Sequence, residues 1–196
     1  MASNTFGSIV GELTALIDDL IVELNIRWKL HRELFQVDAY YSLFAKSGAG
    51  VWSVLGDALM DNVFMSASRL LDPAASCGRQ NLSFEQIIKS LPRSSEQNQI
   101  SDDYRRVKDR YDSTLKDWRN WKLSHNSLDV AKGALALRDV SFKDVASLID
   151  GINALAHSLG LTIRNIDQTY VPAVANQDWV WRLIDVLKKG IRPSQD

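Results

Sequence analysis

IVGELTALIDDLIVEL, residues 9–24, decides the fold class. Within it Ile9, Leu13, Leu16, Ile17, Leu20 and Leu24 recur at spacings of three and four, which lays a wide apolar stripe along one side of an α-helix. Nothing before Gly48 clearly stops this helix, and the pattern reads on through Trp28 to about Phe35. Gly48-Ala49-Gly50 then punctuates the chain. A second helix, about Val51 to Leu71, carries Trp52, Leu55, Leu59, Val63, Phe64 and Leu70 and ends at Pro73. The two are expected to form an antiparallel pair.

Downstream the same period continues. After a linker from Pro73 to Leu82, Ser83-Phe84-Glu85-Gln86 reads as a capping box, with Leu82 and Ile87 spaced as a hydrophobic staple. This short helix stops at Pro92, and Arg93 to Asn98 reads as a polar connection. A longer helix follows over about 101–125, its buried side marked by Tyr104, Val107, Tyr111, Leu115, Trp118 and Trp121. Asn126 to Val140, with Gly133, carries few caps. Ser141 opens a helix with Val145, Leu148, Ile149, Ile152, Leu155, Leu159 and Ile163 in its stripe and a Val140–Val145 staple. Pro172 breaks the chain, and a terminal helix runs over about 177–189, with Gly190 as its C-terminal cap. No strand and no repeat is read. The expectation is a single all-α domain over 1–196: an up-and-down bundle of four to five long helices with short accessory helices.

Composition removes several classes of function. A chain of 196 residues can bury roughly 70% of its extended surface without staples. One cysteine, Cys77, excludes an internal disulfide and a cysteine-rich zinc site. A net charge of -1 is not that of a general nucleic-acid binder. From Ser101 to His125, seven basic side chains stand among five acidic ones, enough for a weakly positive cleft but not a broad basic patch. The N-terminus lacks a signal-peptide pattern, and Glu12, Asp18, Asp19 and Glu23 interrupt its apolar residues, so no membrane span and a cytoplasmic location are expected.

One stretch is chemically specific: Trp118-Arg119-Asn120-Trp121-Lys122-Leu123-Ser124-His125. A guanidinium can hold a phosphate with its planar fork of donors, and an imidazole can move a proton near neutral pH. On an unbroken helix Arg119 and His125 lie about 120° apart, and His125 falls near the stripe of Trp118. Two arrangements would bring the pair to one cleft: a helix end near Ser124, or a site completed by a second subunit.

The spacing Arg119-Asn120-x(4)-His125 resembles the motif of the HEPN superfamily, more narrowly its branch associated with bacterial abortive infection. Ser68-Arg69-Leu70-Leu71-Asp72-Pro73 followed by Asn81-Leu82-Ser83 is similar to the "RL-DP … NLS" pattern of that branch. The resemblance implies metal-independent RNA cleavage in abortive-infection or toxin–antitoxin defence, through attack of a ribose 2′-hydroxyl at a composite homodimer site. Arg119 would hold the phosphate, Asn120 would fix the geometry, and His125 would act as base or orienting group, with no cofactor and no metal. RNA or a nucleotide would be the ligand, and a cognate antitoxin protein a further partner.

Other readings stay open. His125 beside two tryptophans could be a partly buried structural histidine, and Arg119 could pair with Asp112, Asp117 or a carboxylate on a neighbouring helix. A non-catalytic dimer that binds nucleotide, RNA or protein fits the same pattern. Three histidines, His31, His125 and His157, could hold a divalent metal in a bundle core, though no His-x-x-x-His or Glu-x-x-His pair is present. Trp179 and Trp181 point to different sides of the terminal helix, part of which could cover a partner chain or wedge between helices. Arg69 and Asp72 read as local structure, and Asp129 could orient His125.

Overall fold

A computed structural model describes residues 2–124, 127–134, 136–164 and 178–191. Helix α1 spans Ala2–Phe35; a 3-10 turn at Asp38–Tyr40 leads into α2, Tyr41–Leu70. A hairpin of β1 (Ala75–Ser76) and β2 (Arg79–Gln80) precedes α3 (Phe84–Ser90) and α4 (Ser95–Thr114). After a π-helical segment at Trp118–Ser124 come α5 (Leu128–Ala131), α6 (Phe142–Arg164) and α7 (Trp179–Gly190). The chain is an all-α bundle, as the apolar stripes require.

Several boundaries differ from those expected, each for a local reason. The second helix begins at Tyr41 rather than about Val51: the chain bends at Gly48 and remains helical on both sides. Its φ of +123° there lies in a region that costs glycine little and other residues much. The Pro73–Leu82 linker, in which no strand was expected, carries a two-residue antiparallel ladder. Its turn places Cys77 and Gly78 at φ +48° and +74°, the signature of a type I′ hairpin loop. The motif helix starts at Ser95 because the Ser94 hydroxyl accepts from the Gln97 amide at 3.1 Å. It ends at Thr114, well short of residue 125.

Compact packing divides the chain into two units, residues 1–23 with 64–170 and residues 24–63 with 171–196. In the first, α4 and α6 pack against each other in antiparallel register. Arg110 on α4 donates to the Ser147 carbonyl at 2.8 Å and to its hydroxyl at 3.0 Å. One turn further along, Gly151 lets α6 approach so closely that a Cβ there would stand 3.2 Å from Val107 Cγ2. The α6 stripe is buried from Val145 through Leu159, each large side chain contributing roughly 1.5–3 kcal/mol. At its start Ser141 and Asp144 cap reciprocally: the Asp144 amide donates to the Ser141 hydroxyl, and the Ser141 amide donates to the Asp144 carboxylate, both at 3.1 Å.

The second unit is built on Leu34, Tyr40, Leu43 and Phe44 with Val180 and Ile184 of α7. Trp179 and Trp181 are exposed beside this buried stripe. No helix among the described residues is long and apolar enough to cross a membrane.

Candidate functional site

The segment that carries the motif is positioned by its neighbours before any chemistry enters. At the end of α2 the Ser68 hydroxyl donates to the Phe64 carbonyl at 2.7 Å and accepts from the Tyr111 hydroxyl of α4 at 3.0 Å, a buried pin between the two helices. Pro73 follows and helps end the helix, since a proline disfavours helical geometry in the residue before it. The linker then folds back. Asn81 Nδ2 donates to the Pro73 carbonyl at 2.8 Å, and the Ala74 amide donates to the Glu85 carboxylate at 2.6 Å. Ser83 caps α3 through the Gln86 amide. The Asp-Pro and Asn-Leu-Ser elements thus have a structural job, which is to fix where Asp72 stands.

On the other side, α4 gives way after Thr114 although the sequence holds no glycine or proline there. Arg138 braces the change: its guanidinium donates to the Ser113 carbonyl at 2.7 Å, while its own carbonyl accepts from Trp118 Nε1 at 2.7 Å. From Trp118 to Ser124 the backbone winds as a π-helix, a rare geometry that recurs at functional sites. Trp118 packs edge-on to Phe64, and Lys122 Nζ lies 4.3 Å from the centre of its ring. Trp121, expected on the buried side, is 43% exposed because the wider turn carries it off the α4 stripe.

Arg119 and Asp72 meet between these two braced segments. Arg119 Nη2 stands 3.6 Å from Asp72 Oδ1, and Nη1 donates to Asn120 Oδ1 at 3.0 Å. Arg119 Nε is buried with no hydrogen-bond partner among the described residues. Burial pushes the Asp72 carboxyl above the usual carboxylate range, even though Arg119, Lys108 and Arg69 all pull it down. At this separation, with both side chains partly exposed, the ion pair is too loose to offset the desolvation. Tyr104 and Tyr111 hydroxyls are likewise raised by burial. Asp112, one candidate partner for Arg119, is instead taken by Lys108 at 2.6 Å and Lys116 at 3.5 Å.

Of the three expected site residues, Arg119 and Asn120 are adjacent and bonded to each other, and His125 lies outside the described residues. So does any orientation of His125 by Asp129, which sits exposed on α5. His31 is buried in the second unit, and His157 lies half-buried on α6. Among the described residues no group of three or more His, Cys, Asp or Glu side chains is placed to hold a metal ion. The partner of Arg119 is thus the open alternative of a carboxylate on a neighbouring helix, Asp72, which the sequence by itself marks only as a helix terminator. Their separation in sequence hid the contact, and the shared Asp-Pro pattern was the only signal.

The chain is a helical bundle of the HEPN class. The chain belongs to the AbiU2 family of HEPN domains, in the abortive-infection branch: the family model matches residues 8–186. No curated protein and no solved structure matches it.

Proposed function

We propose that this protein is a metal-independent endoribonuclease of an abortive-infection or toxin–antitoxin system, acting as a homodimer. The observation that carries the reading is the state of Arg119. Its guanidinium is held by Asn120 through Nη1 and only loosely balanced by Asp72, 3.6 Å from Nη2. Such a group can accept a phosphate without first breaking a tight ion pair.

In the reaction the ribose 2′-oxygen attacks the adjacent phosphorus, the bond to the 5′-oxygen breaks, and a 2′,3′-cyclic phosphate and a 5′-hydroxyl end result. Arg119 stabilises charge on the phosphoryl oxygens, Asn120 holds the guanidinium in its plane, and His125 takes the proton of the 2′-hydroxyl or orients it. Membership in the AbiU2 family supports this assignment. The test is cleavage of RNA by the purified dimer and by Arg119→Ala and His125→Ala, with helical content and sedimentation as controls. Both changes slow cleavage by about 10²-fold or more and leave the dimer intact. Cleavage undiminished by both would reject the assignment, and RNA binding without products would leave a non-catalytic HEPN binding module as the function.

A further inference from the structure

The second unit contains a cavity of about 590 Å³, inside the range that holds small ligands. It is lined by the aromatic rings of Phe35, Tyr41, Phe44 and Trp52, and by His31 and Asp57. Phe44 and Trp52 stack at 4.2 Å, and Phe35 tilts against Phe44 at 5.8 Å, so the wall is a continuous set of rings. Two polar groups of this wall are already bonded within the protein. Trp52 Nε1 donates to the Ser47 hydroxyl at 2.9 Å, and the Tyr41 hydroxyl donates to the Phe35 carbonyl at 3.2 Å.

Charge sets the kind of ligand. Among the described residues no lysine or arginine lines the cavity, and Asp57, which is exposed, has no ion-pair partner. His31 contributes no opposing cation: burial holds its imidazole below the ordinary histidine range despite the nearby Asp57, and its Nδ1 is buried without a hydrogen-bond partner among the described residues. A carboxylate beside electron-rich ring faces attracts positive charge from both sources, and apolar walls favour a charge that carries methyl or methylene groups. From these observations we infer that the cavity is a binding site for a small organic cation, an amine or quaternary ammonium, held by Asp57 and the aromatic rings that line it. The inference is independent of RNA cleavage at Arg119.

Choline and its uncharged carbon isostere 3,3-dimethylbutan-1-ol are suitable probes. Each is titrated into the full chain by calorimetry, with the indole N–H resonance of Trp52 as the local reporter. Choline binds saturably and shifts that resonance, while the alcohol binds at least about tenfold more weakly. Asp57→Asn, at an exposed position that leaves the fold intact, weakens choline by about tenfold and leaves the alcohol unchanged. Equal affinity for the two probes, choline binding unaffected by Asp57→Asn, or no saturable binding at all would overturn the assignment.

Discussion

The guanidinium of Arg119 faces the carboxylate of Asp72 at 3.6 Å, joining the π-helical motif segment to the helix end closed by Pro73. Two sequence patterns more than forty residues apart therefore converge on one charged pair. The geometry is expensive for Asp72. Its carboxyl binds a proton more readily in the folded protein than in the unfolded chain, since burial outweighs the three cations that face it.

That cost has a definite pH signature. A raised carboxyl pKa gives stability that is greatest in acid and is lost as pH rises from the ordinary value of 3.8 through the folded one. Asp72→Asn removes the ionisation. Thermal melts of the two proteins coincide most nearly, or favour wild type, in acid, and the variant gains relative to wild type as pH approaches neutrality. A variant that loses ground as pH rises would show that pairing with Arg119 dominates after all.

The hairpin turn gives a second expectation. Cys77 occupies the first central position of a type I′ turn at φ +48°, where asparagine is the preferred residue. Cys77→Asn raises stability by about 0.5 kcal/mol in urea unfolding. Destabilisation would mean that the thiol has packing that its exposed position does not provide.

Packing between α4 and α6 gives a third. Because a Cβ at Gly151 already comes within 3.2 Å of Val107, a longer side chain must push the helices apart. Gly151→Leu lowers stability by about 1–3 kcal/mol, the usual cost of overfilling a closed contact. An unchanged denaturation midpoint would contradict the close approach.

Much of this was legible in the sequence. The α6 stripe, its Ser141 cap and the Ser83 cap follow directly from apolar period and capping chemistry, which are local. Ser94-x-x-Gln97 was an equally good start signal, yet the polar run after Pro92 reads as a connection until the cap is seen bonded. The end of α4 had no local signal at all, for Arg138 imposes it from twenty-odd residues downstream. Leu16 and Leu55 lie in the expected stripes but are exposed, because periodicity sets the apolar side of a helix and not how much of it is covered. Within the site, Arg119 and Asn120 were readable as a pair; the role of Asp72 was not, because a tertiary contact carries it.

The chemistry assigned to Arg119, Asn120 and His125 is tested most directly by the ends it leaves on RNA. Purified protein with excess chelator should convert a defined RNA to fragments ending in 2′,3′-cyclic phosphate and 5′-hydroxyl. Arg119→Ala should slow that conversion by about 10²-fold or more, the scale expected for losing a transition-state charge contact. Fragments with 3′-hydroxyl and 5′-phosphate ends, or cleavage that stops when the chelator is added, would contradict it.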